Sequence, residues 1–578
     1  MNDVLKRFGL TVVAMVFATP VLANTSLTIK GLKGNLQDNV DAYVSAIPKD
    51  DYSTTLRFRE QLEDEIENAL KALGYYQPIF TYEIKDDDKK SSIAVTVEKG
   101  PITHIAKSHI VLLGMAESDP DFIGLVKGSG LGLGESLNHG KYESLKSSLS
   151  SLALRKGYFD ASLTKSVMEV VPSRNEAFIT IEFSSGRRYN FGDTTFTGSQ
   201  IDEDRLQSLI PFEKDDPYLA SKLGEFNQRL STIGWFSSIF VGGDVQHLDD
   251  GTVPIAVNLA PQVRNQIETG IGYSTDVGTR LKLNWKKPWL NSAGHSLSIK
   301  TELSKVQPKI EAAYKIPLDD VLNDFYQVIG GIRYVDNHDT QSIEYNIGLE
   351  RHWRLESDWK RVASLRWLYE DYKQGVDKEG NGEKGILSMI IPGITYSKTR
   401  ARGGAMPTWG DKQLISIEYA DPALGSDTRL ARFRGRSAWI RSAGENHRGI
   451  LRLDGGAVIA EKIEDVPPSM RFFAGGDNSI RGYGYESIAP RNDGGLLVGG
   501  QYMATSTLEY QYRVYGDWWG AVFYDYGSAW ISNPEWYSGT GVGVRWASPV
   551  GPIRLDFAWG LEKEKDKFQL HFTLGPEL

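Results

Sequence analysis

Hydrophobic positions along the chain follow two different periods, and the change falls near Pro261. Before it, apolar residues recur every three to four positions within short stretches: Phe58, Leu62, Ile66, Leu70 and Leu73 mark one face of a helix. A shorter helix is expected before it over 36–47, and strands over 79–84, 93–97 and 178–183. After Pro261 no helical period continues. Segments of roughly 10–14 residues alternate apolar and polar positions between Gly, Asn, Asp and Pro. Over 551–560, Ile553, Leu555, Phe557 and Trp559 fall on one side, Arg554 and Asp556 on the other. Over 505–514, Leu508, Tyr510, Tyr512 and Val514 oppose Thr507, Glu509, Gln511 and Arg513. Over 568–574, Phe568, Leu570, Phe572 and Leu574 oppose Gln569, His571 and Thr573.

The helical part repeats. Strands end at Gly31, Gly114 and Gly198, and helices end at Gly74-Tyr75-Tyr76, Gly157-Tyr158-Phe159 and Gly234-Trp235-Phe236. Both sets recur at about 80 residues, the mark of a repeated module. Each module reads β-α-α-β-β, with the helix-ending glycine as a left-handed cap and the aromatic beside it closing the core. The expected boundaries are 24–100, 101–186 and 187–262, followed by an alternating region over 263–578.

Two architectures suit that region. A soluble sandwich or propeller alternates too, but the segments are long for a sandwich and no propeller period recurs. Aromatics gather at segment ends, as in Trp285 with Trp289, Trp518 with Trp519, and Trp530 with Trp536. Together with about sixteen segments, an even number, this predicts an antiparallel transmembrane barrel with a lipid-facing wall, a polar lumen and aromatic girdles. Closure removes the strand edges that lipid cannot satisfy.

The amino terminus adds a compartment. Lys6 and Arg7 precede an apolar run from Phe8 to Ala18, then Pro20 and Val21-Leu22-Ala23. This is the layout of a cleaved export signal over 1–23, with Asn24 beginning the mature protein. Mean hydropathy of −0.33 excludes a bundle of membrane helices. Net charge of −9 gives no footprint for nucleic acid, and the absence of cysteine removes disulfides and thiolate metal sites.

One stretch stands apart: Gly475-Gly476-Asp477-Asn478-Ser479-Ile480-Arg481-Gly482-Tyr483-Gly484-Tyr485, inside a long connection over 464–497 between the expected eleventh and twelfth barrel strands. Phe523-Tyr524-Asp525-Tyr526-Gly527, Gly541-Val542-Gly543-Val544-Arg545 and Gly551-Pro552-Ile553-Arg554-Leu555-Asp556 follow it on successive strands. With the repeats, these motifs resemble the superfamily of outer-membrane assembly and secretion barrels fronted by polypeptide-transport-associated (POTRA) domains. Three repeats and a barrel ending Leu574-Gly575-Pro576-Glu577-Leu578 look like its TamA branch, the outer-membrane subunits of translocation and assembly modules. The chain does not end in the aromatic usual for such barrels, so the sorting signal is expected around 568–574.

The resemblance implies that the loop tip Ile480, Arg481, Gly482 and Tyr483 folds into the lumen as a lid. A guanidinium there must be paired, and Asp525 or Glu509 on lumen-facing positions can accept a bidentate bond. The remaining barrel-motif residues are Phe523, Gly527, Gly541, Gly543, Arg545, Arg554 and Asp556. The plainer alternative makes Arg481-Gly482 an exposed turn.

The resemblance further implies a weak seam between a first strand at 265–276 and the last at 568–574, with Gly270, Gly272, Gly541 and Gly543 compatible with low stability there. It implies a TamB-like partner, anchored in the inner membrane and spanning the periplasm, that docks by strand addition. The function expected is insertion or secretion of outer-membrane or autotransporter substrate proteins, with barrel in the outer membrane and repeats in the periplasm. The alternative makes the barrel the terminus of a phospholipid-transfer bridge. An envelope enzyme is disfavoured: there is no G-x-S-x-G or H-E-x-x-H motif, and the nine histidines are scattered. No catalytic residue, metal or cofactor is expected. The glycine run 128–134 lacks phosphate-loop spacing and reads as a flexible turn, and the charge runs 86–90 and 562–567 read as solvated hairpin loops.

Overall fold

A computed structural model describes residues 25–87, 90–248, 250–377, 379, 382–404, 406–548, 551–562 and 568–574. The export segment 1–23 with Asn24, residues 88–89 and 563–567 of the two charge runs, and the terminal 575–578 lie outside the described residues. The chain forms two compact units. One holds the residues up to Asp193 with 212–222 and 243–255; the other holds 194–211, 223–242 and everything from Ala256 onward.

The first repeat is β1 (Ser26–Lys30), α1 (Asn35–Val44), α2 (Leu56–Lys71), β2 (Ile79–Asp87) and β3 (Lys90–Glu98). Its sheet order is β1-β3-β2, with β1 parallel and β2 antiparallel to β3. The Thr55 hydroxyl accepts from the Phe58 amide and starts α2. Val40, Leu62, Ile66 and Leu70 then pack on Ile93, Val95 and Val97. α1 stops short of the expected 47, because Pro48 excludes helical backbone just before it. Ile47 nonetheless stays in the core.

The second repeat is β4 (His104–Leu113), α3 (Pro120–Lys127), α4 (His139–Lys156), β5 (Ser162–Val171) and β6 (Glu176–Ser184), ordered β4-β6-β5. The glycine run joins α3 to α4 and is anchored rather than loose: Leu131 is buried, and the Gly134 amide donates to the Ile105 carbonyl at 2.8 Å. The third repeat is β7 (Asn190–Thr197), α5 (Glu203–Gln207), α6 (Ala220–Ile233), β8 (Phe236–Gly243) and β9 (Thr252–Pro261), ordered β7-β9-β8.

The helix-ending glycines Gly74, Gly157 and Gly234 all have positive φ, at 89°, 83° and 75°. The aromatics after them have more varied work than core closure. Tyr158 does enter its own core, edge-on to Phe122. Tyr76 instead bonds His139 of the second repeat at 2.6 Å, and Phe159 packs on Tyr218 of the third. Trp235 donates to the Gly294 carbonyl in a barrel turn at 3.2 Å.

The barrel opens with β10 (Gln266–Ser274), β11 (Gly278–Lys287), β12 (Ser296–Ser304) and β13 (Lys309–Pro317). Longer strands follow: β14 (Phe325–Asn337), β15 (Thr340–Arg354), β16 (Lys360–Gln374), β17 (Glu383–Arg402) and β18 (Trp409–Ala420). It continues through β19 (Leu430–Ala443), β20 (His447–Ala460), β21 (Tyr502–Tyr515) and β22 (Trp518–Trp530). β23 (Tyr537–Ser548), β24 (Gly551–Gly560) and β25 (Phe568–Leu574) finish a closed antiparallel barrel of sixteen strands. At 20 residues, β17 exceeds the expected strand length.

On β24, Arg554 and Asp556 face the buried interior while Phe557 and Trp559 face outward; β21 alternates the same way through Glu509 and Tyr510. No helix among the described residues is long and apolar enough to cross a membrane. The interior is less polar than expected. Val466, Met470, Phe472, Ala474 and Ile480 of the β20–β21 connection pack against Leu368, Met389, Ile391 and Met503 of the wall, an apolar plug inside the barrel.

Closure is uneven. β24 and β25 pair from Ile553 opposite Leu574 to Trp559 opposite Phe568. Among the described residues, β10 and β25 meet through one register pair, Ser274 with Thr573.

Candidate functional site

The site is built on the connection between β20 and β21, which turns inward and is held at two arginines. Arg471, whose importance the sequence did not reveal, is buried nearer the start of the loop. It donates to the Val466 and Val498 carbonyls at 2.7 and 2.9 Å and to Glu383 on β17 at 2.5 Å. The second anchor is the tip.

Arg481 is 2 % exposed, and its fork is filled from three strands. Nε and Nη2 donate to the two oxygens of Asp525 on β22 at 2.8 and 3.0 Å. Nη1 donates to Glu509 on β21 at 2.8 Å and to Asp556 on β24 at 3.2 Å. The guanidinium carbon lies 3.4 Å from the Phe523 ring centroid, a stacked cation. The backbone amide of Arg481 also donates to Asp525, at 3.0 Å. Asp525 and Glu509 are therefore joint partners rather than alternatives, and Asp556 is a third. Arg545 on β23 completes the network, bonding Glu509 at 2.9 Å and Asp556 at 2.6 Å. Arg554 is buried on the same face, opposite Arg545 in the β23–β24 register, outside the contacts of Arg481.

The neighbouring motif residues make space. A Cβ on Gly543 would overlap an Asp556 oxygen, and one on Gly541 would overlap the Phe557 carbonyl. On Gly527 it would stand 2.7 Å from the Thr505 Cα. Gly541 and Gly543, grouped in the sequence with a weak seam, lie on β23, away from it; only Gly270 and Gly272 are on a seam strand. Ile480 is buried in the apolar plug. Gly482 has φ 90°, and its backbone lies against Trp559 and Gly560 where no side chain fits. Tyr483 packs edge-on to Tyr537 and donates to Glu562 at 2.7 Å. Glu562 also accepts from the Ser538 amide at 2.7 Å, so this member of the second charge run is bonded, not merely solvated.

A second cluster joins the loop to the seam. The Asp477 carboxylate accepts from the Thr275 hydroxyl at 3.0 Å and from His571 Nδ1 at 2.5 Å. Its amide donates to Asp276 at 2.9 Å. The Gly482 amide donates to His571 Nε2 at 3.0 Å, so that nitrogen carries no proton and Nδ1 is the donor. Burial and the adjacent Asp477 charge push the Asp276 carboxyl up to about 8. Burial works the other way on Asp477 from its donors, and His571 and Thr275 win, holding it below the usual carboxylate range. Asp276, Asp477 and His571 have ligand atoms within 4.8 Å of one another, the described trio with cation-like spacing. Asp477 and His571 are already engaged by protein donors and acceptors, which favours a hydrogen-bonded cluster. Asp477 and His571 lie 94 positions apart, so spacing along the chain could not pair them.

The assembled picture is a barrel whose lumen is occupied by a loop docked through two buried arginines. Residues 264–577, more than half of the chain, match the Omp85 superfamily domain. The chain belongs to the Omp85 superfamily. Residues 26–99 match a family described as POTRA domain TamA domain 1. Among curated Omp85 relatives, the outer membrane protein assembly factor BamA of Nitratidesulfovibrio vulgaris is 26% identical over 389 residues, covering 62% of this chain and 47% of that protein. BamA of Neorickettsia risticii is 21% identical over 416 residues, covering 67% and 54%. The chain thus spans about half the length of the curated relatives it matches. A crystal structure of Haemophilus ducreyi BamA lacking POTRA domains 1–3 superposes with a TM-score of 0.68 at 15% identity, covering 82% of this chain and 99% of that one, a likeness of fold.

Proposed function

We propose that this Omp85 chain is an outer-membrane assembly factor of the TamA type. It inserts or secretes substrate proteins such as autotransporters by opening the seam between β10 and β25 toward the bilayer. The observation that carries this reading is that, among the described residues, β10 and β25 share one register pair, Ser274 with Thr573, beside strands that otherwise pair along much of their length. An incoming strand would add at this edge through backbone bonds, and templated strand addition needs no nucleotide. The POTRA match at 26–99 favours the TamA branch. On this reading, 24–100, 101–186 and 187–262 are three periplasmic POTRA domains and 263–578 is the barrel. A TamB-like, inner-membrane-anchored protein adds a strand to a POTRA sheet edge.

The chain has no cysteine, so Ser274→Cys with Thr573→Cys gives one defined disulfide across the seam. Oxidation is expected to stop insertion of an autotransporter barrel into proteoliposomes, and reductant to restore it. Full insertion with the seam locked overturns the proposal. Lipid movement followed on the same locked protein separates protein assembly from a lipid-bridge terminus.

A further inference from the structure

We propose that Asp477 and His571 form a clasp by which the lid loop itself holds the first and last barrel strands together. The inference rests on the seam-opening reading above and names what keeps the seam shut.

Among the described residues, backbone pairing across this seam is sparse. Beyond Ser274 and Thr573, the Thr275 amide donates to the Phe572 carbonyl at 3.3 Å, and the Phe572 amide turns to the Thr275 hydroxyl at 3.2 Å. Asp477 reaches both sides from the loop. Toward the first strand it engages Thr275 through its carboxylate and Asp276 through its amide. Toward the last strand it accepts from His571, and from the Thr573 hydroxyl at 3.4 Å. Asp477 and His571 are 5 % and 3 % exposed, so water does not compete well for these bonds.

Local geometry serves this reach. Gly475 and Gly476 have φ of 102° and 100°, and a Cβ on Gly476 would stand 2.7 Å from an Asp276 oxygen. The two glycines let the loop backbone come down onto the β10–β11 turn.

The clasp is also wired to the tip. His571 uses its other nitrogen to accept the Gly482 amide, next to Arg481. One histidine on the last strand therefore touches both Asp477 and the lid tip. A loop pulled outward loses Asp477–His571 and Gly482–His571 together, and among the described residues the strands keep only the Ser274–Thr573 pair and the Thr275–Phe572 bonds. Lid displacement and seam opening become a single event rather than two.

Hydrogen exchange of the full-length protein in lipid nanodiscs tests this, read by mass spectrometry over 266–276 and 568–574, with the far wall at 340–374 as reference. Asp477→Ala and His571→Ala are each expected to speed exchange in both seam strands by about tenfold, the scale of local opening when a few ties are lost. The far wall should be unchanged and the barrel should still migrate faster when unheated. Thr275→Ala, which removes the hydroxyl's bonds to Asp477 and to the Phe572 amide, should also raise exchange in the same two segments, and it serves should the other variants not fold. Unchanged seam exchange in the folded variants overturns the clasp. An equal rise in the far wall also overturns it, because the residues then stabilise the barrel generally. No substrate is needed, so this result stands apart from the disulfide test of function.

Discussion

The backbone carbonyl of Arg481 rests directly over Gly539 on β23, where a side chain on the glycine would overlap it. The lid tip is thus seated by shape as well as charge. Gly539→Ala should displace the tip at a cost of about 1–3 kcal/mol, the range for overpacking a filled site. Limited proteolysis within 461–501 should accelerate while the barrel stays folded. Gly435→Ala on β19, where a Cβ meets nothing within 4 Å, is the control and should leave the loop protected. Equal protection in both variants would show that the tip does not need this contact.

Arg481→Ala removes the cation from three buried carboxylates, and breaking a buried pair typically costs about 3–5 kcal/mol. The cost should fall on loop docking, since none of the three carboxylates is needed for backbone pairing. Double-mutant cycles in loop protection should give coupling within about 0.5–3 kcal/mol. Asp525 should couple more strongly than Glu509, because it takes two bonds from the Arg481 side chain, whereas Glu509 takes one and keeps Arg545. Arg481→Lys should recover little, as an ammonium cannot fill three acceptors in one plane. Coupling larger for Glu509 would reverse this ranking.

What the sequence could and could not reveal follows from range. The β-α-α-β-β modules were readable because each is built from local period and a terminal glycine. Barrel faces were readable because lipid and lumen impose opposite polarity on neighbouring residues, as Glu509 and Tyr510 do. β17 blurred that signal: Met389 and Ile391 face the lumen yet are apolar, since they meet the loop's plug there. The roles of Arg471, Asp477 and His571 were not legible in the sequence for a related reason. Their partners come from distant strands, and only the folded loop brings them together.

Trp235 predicts how the repeats join the barrel. Its indole donates to Gly294, and its carbonyl accepts from the Gln262 amide at 2.9 Å. The Trp289 indole then donates to the Gln262 carbonyl at 2.8 Å. The segment after Pro261 is therefore tied down although Val263 is exposed. Trp235→Ala should cost about 3–5 kcal/mol locally. Protease should then cut faster over 261–265, leaving a heat-modifiable fragment that begins near Val263. A cleavage rate equal to that of the unaltered protein would place the restraint elsewhere.

Asp276 makes the seam contact sensitive to pH. Its carboxyl is raised to about 8 by burial, with the charges of Asp477 and Glu486 adding to it. His571 and Tyr485 are the other titratable groups facing this corner. A free carboxyl titrates near 4, so the closed state holds a proton that an opened one releases. Linkage then sets the sign. The stabilisation is complete below about pH 4, declines as pH rises toward 8, and is exhausted above it. Asp477, held low, acts at the opposite end, its contribution failing only as acid protonates it. Exchange over 266–276 and 568–574, corrected for the intrinsic pH dependence of amides, should therefore quicken between about pH 5 and about pH 8 and level off above that. Asp276→Asn keeps an oxygen for the Asp477 amide and removes the ionisation, so its corrected exchange should be flat across the same range. If both proteins show the same slope, a group other than Asp276 governs the seam across that range.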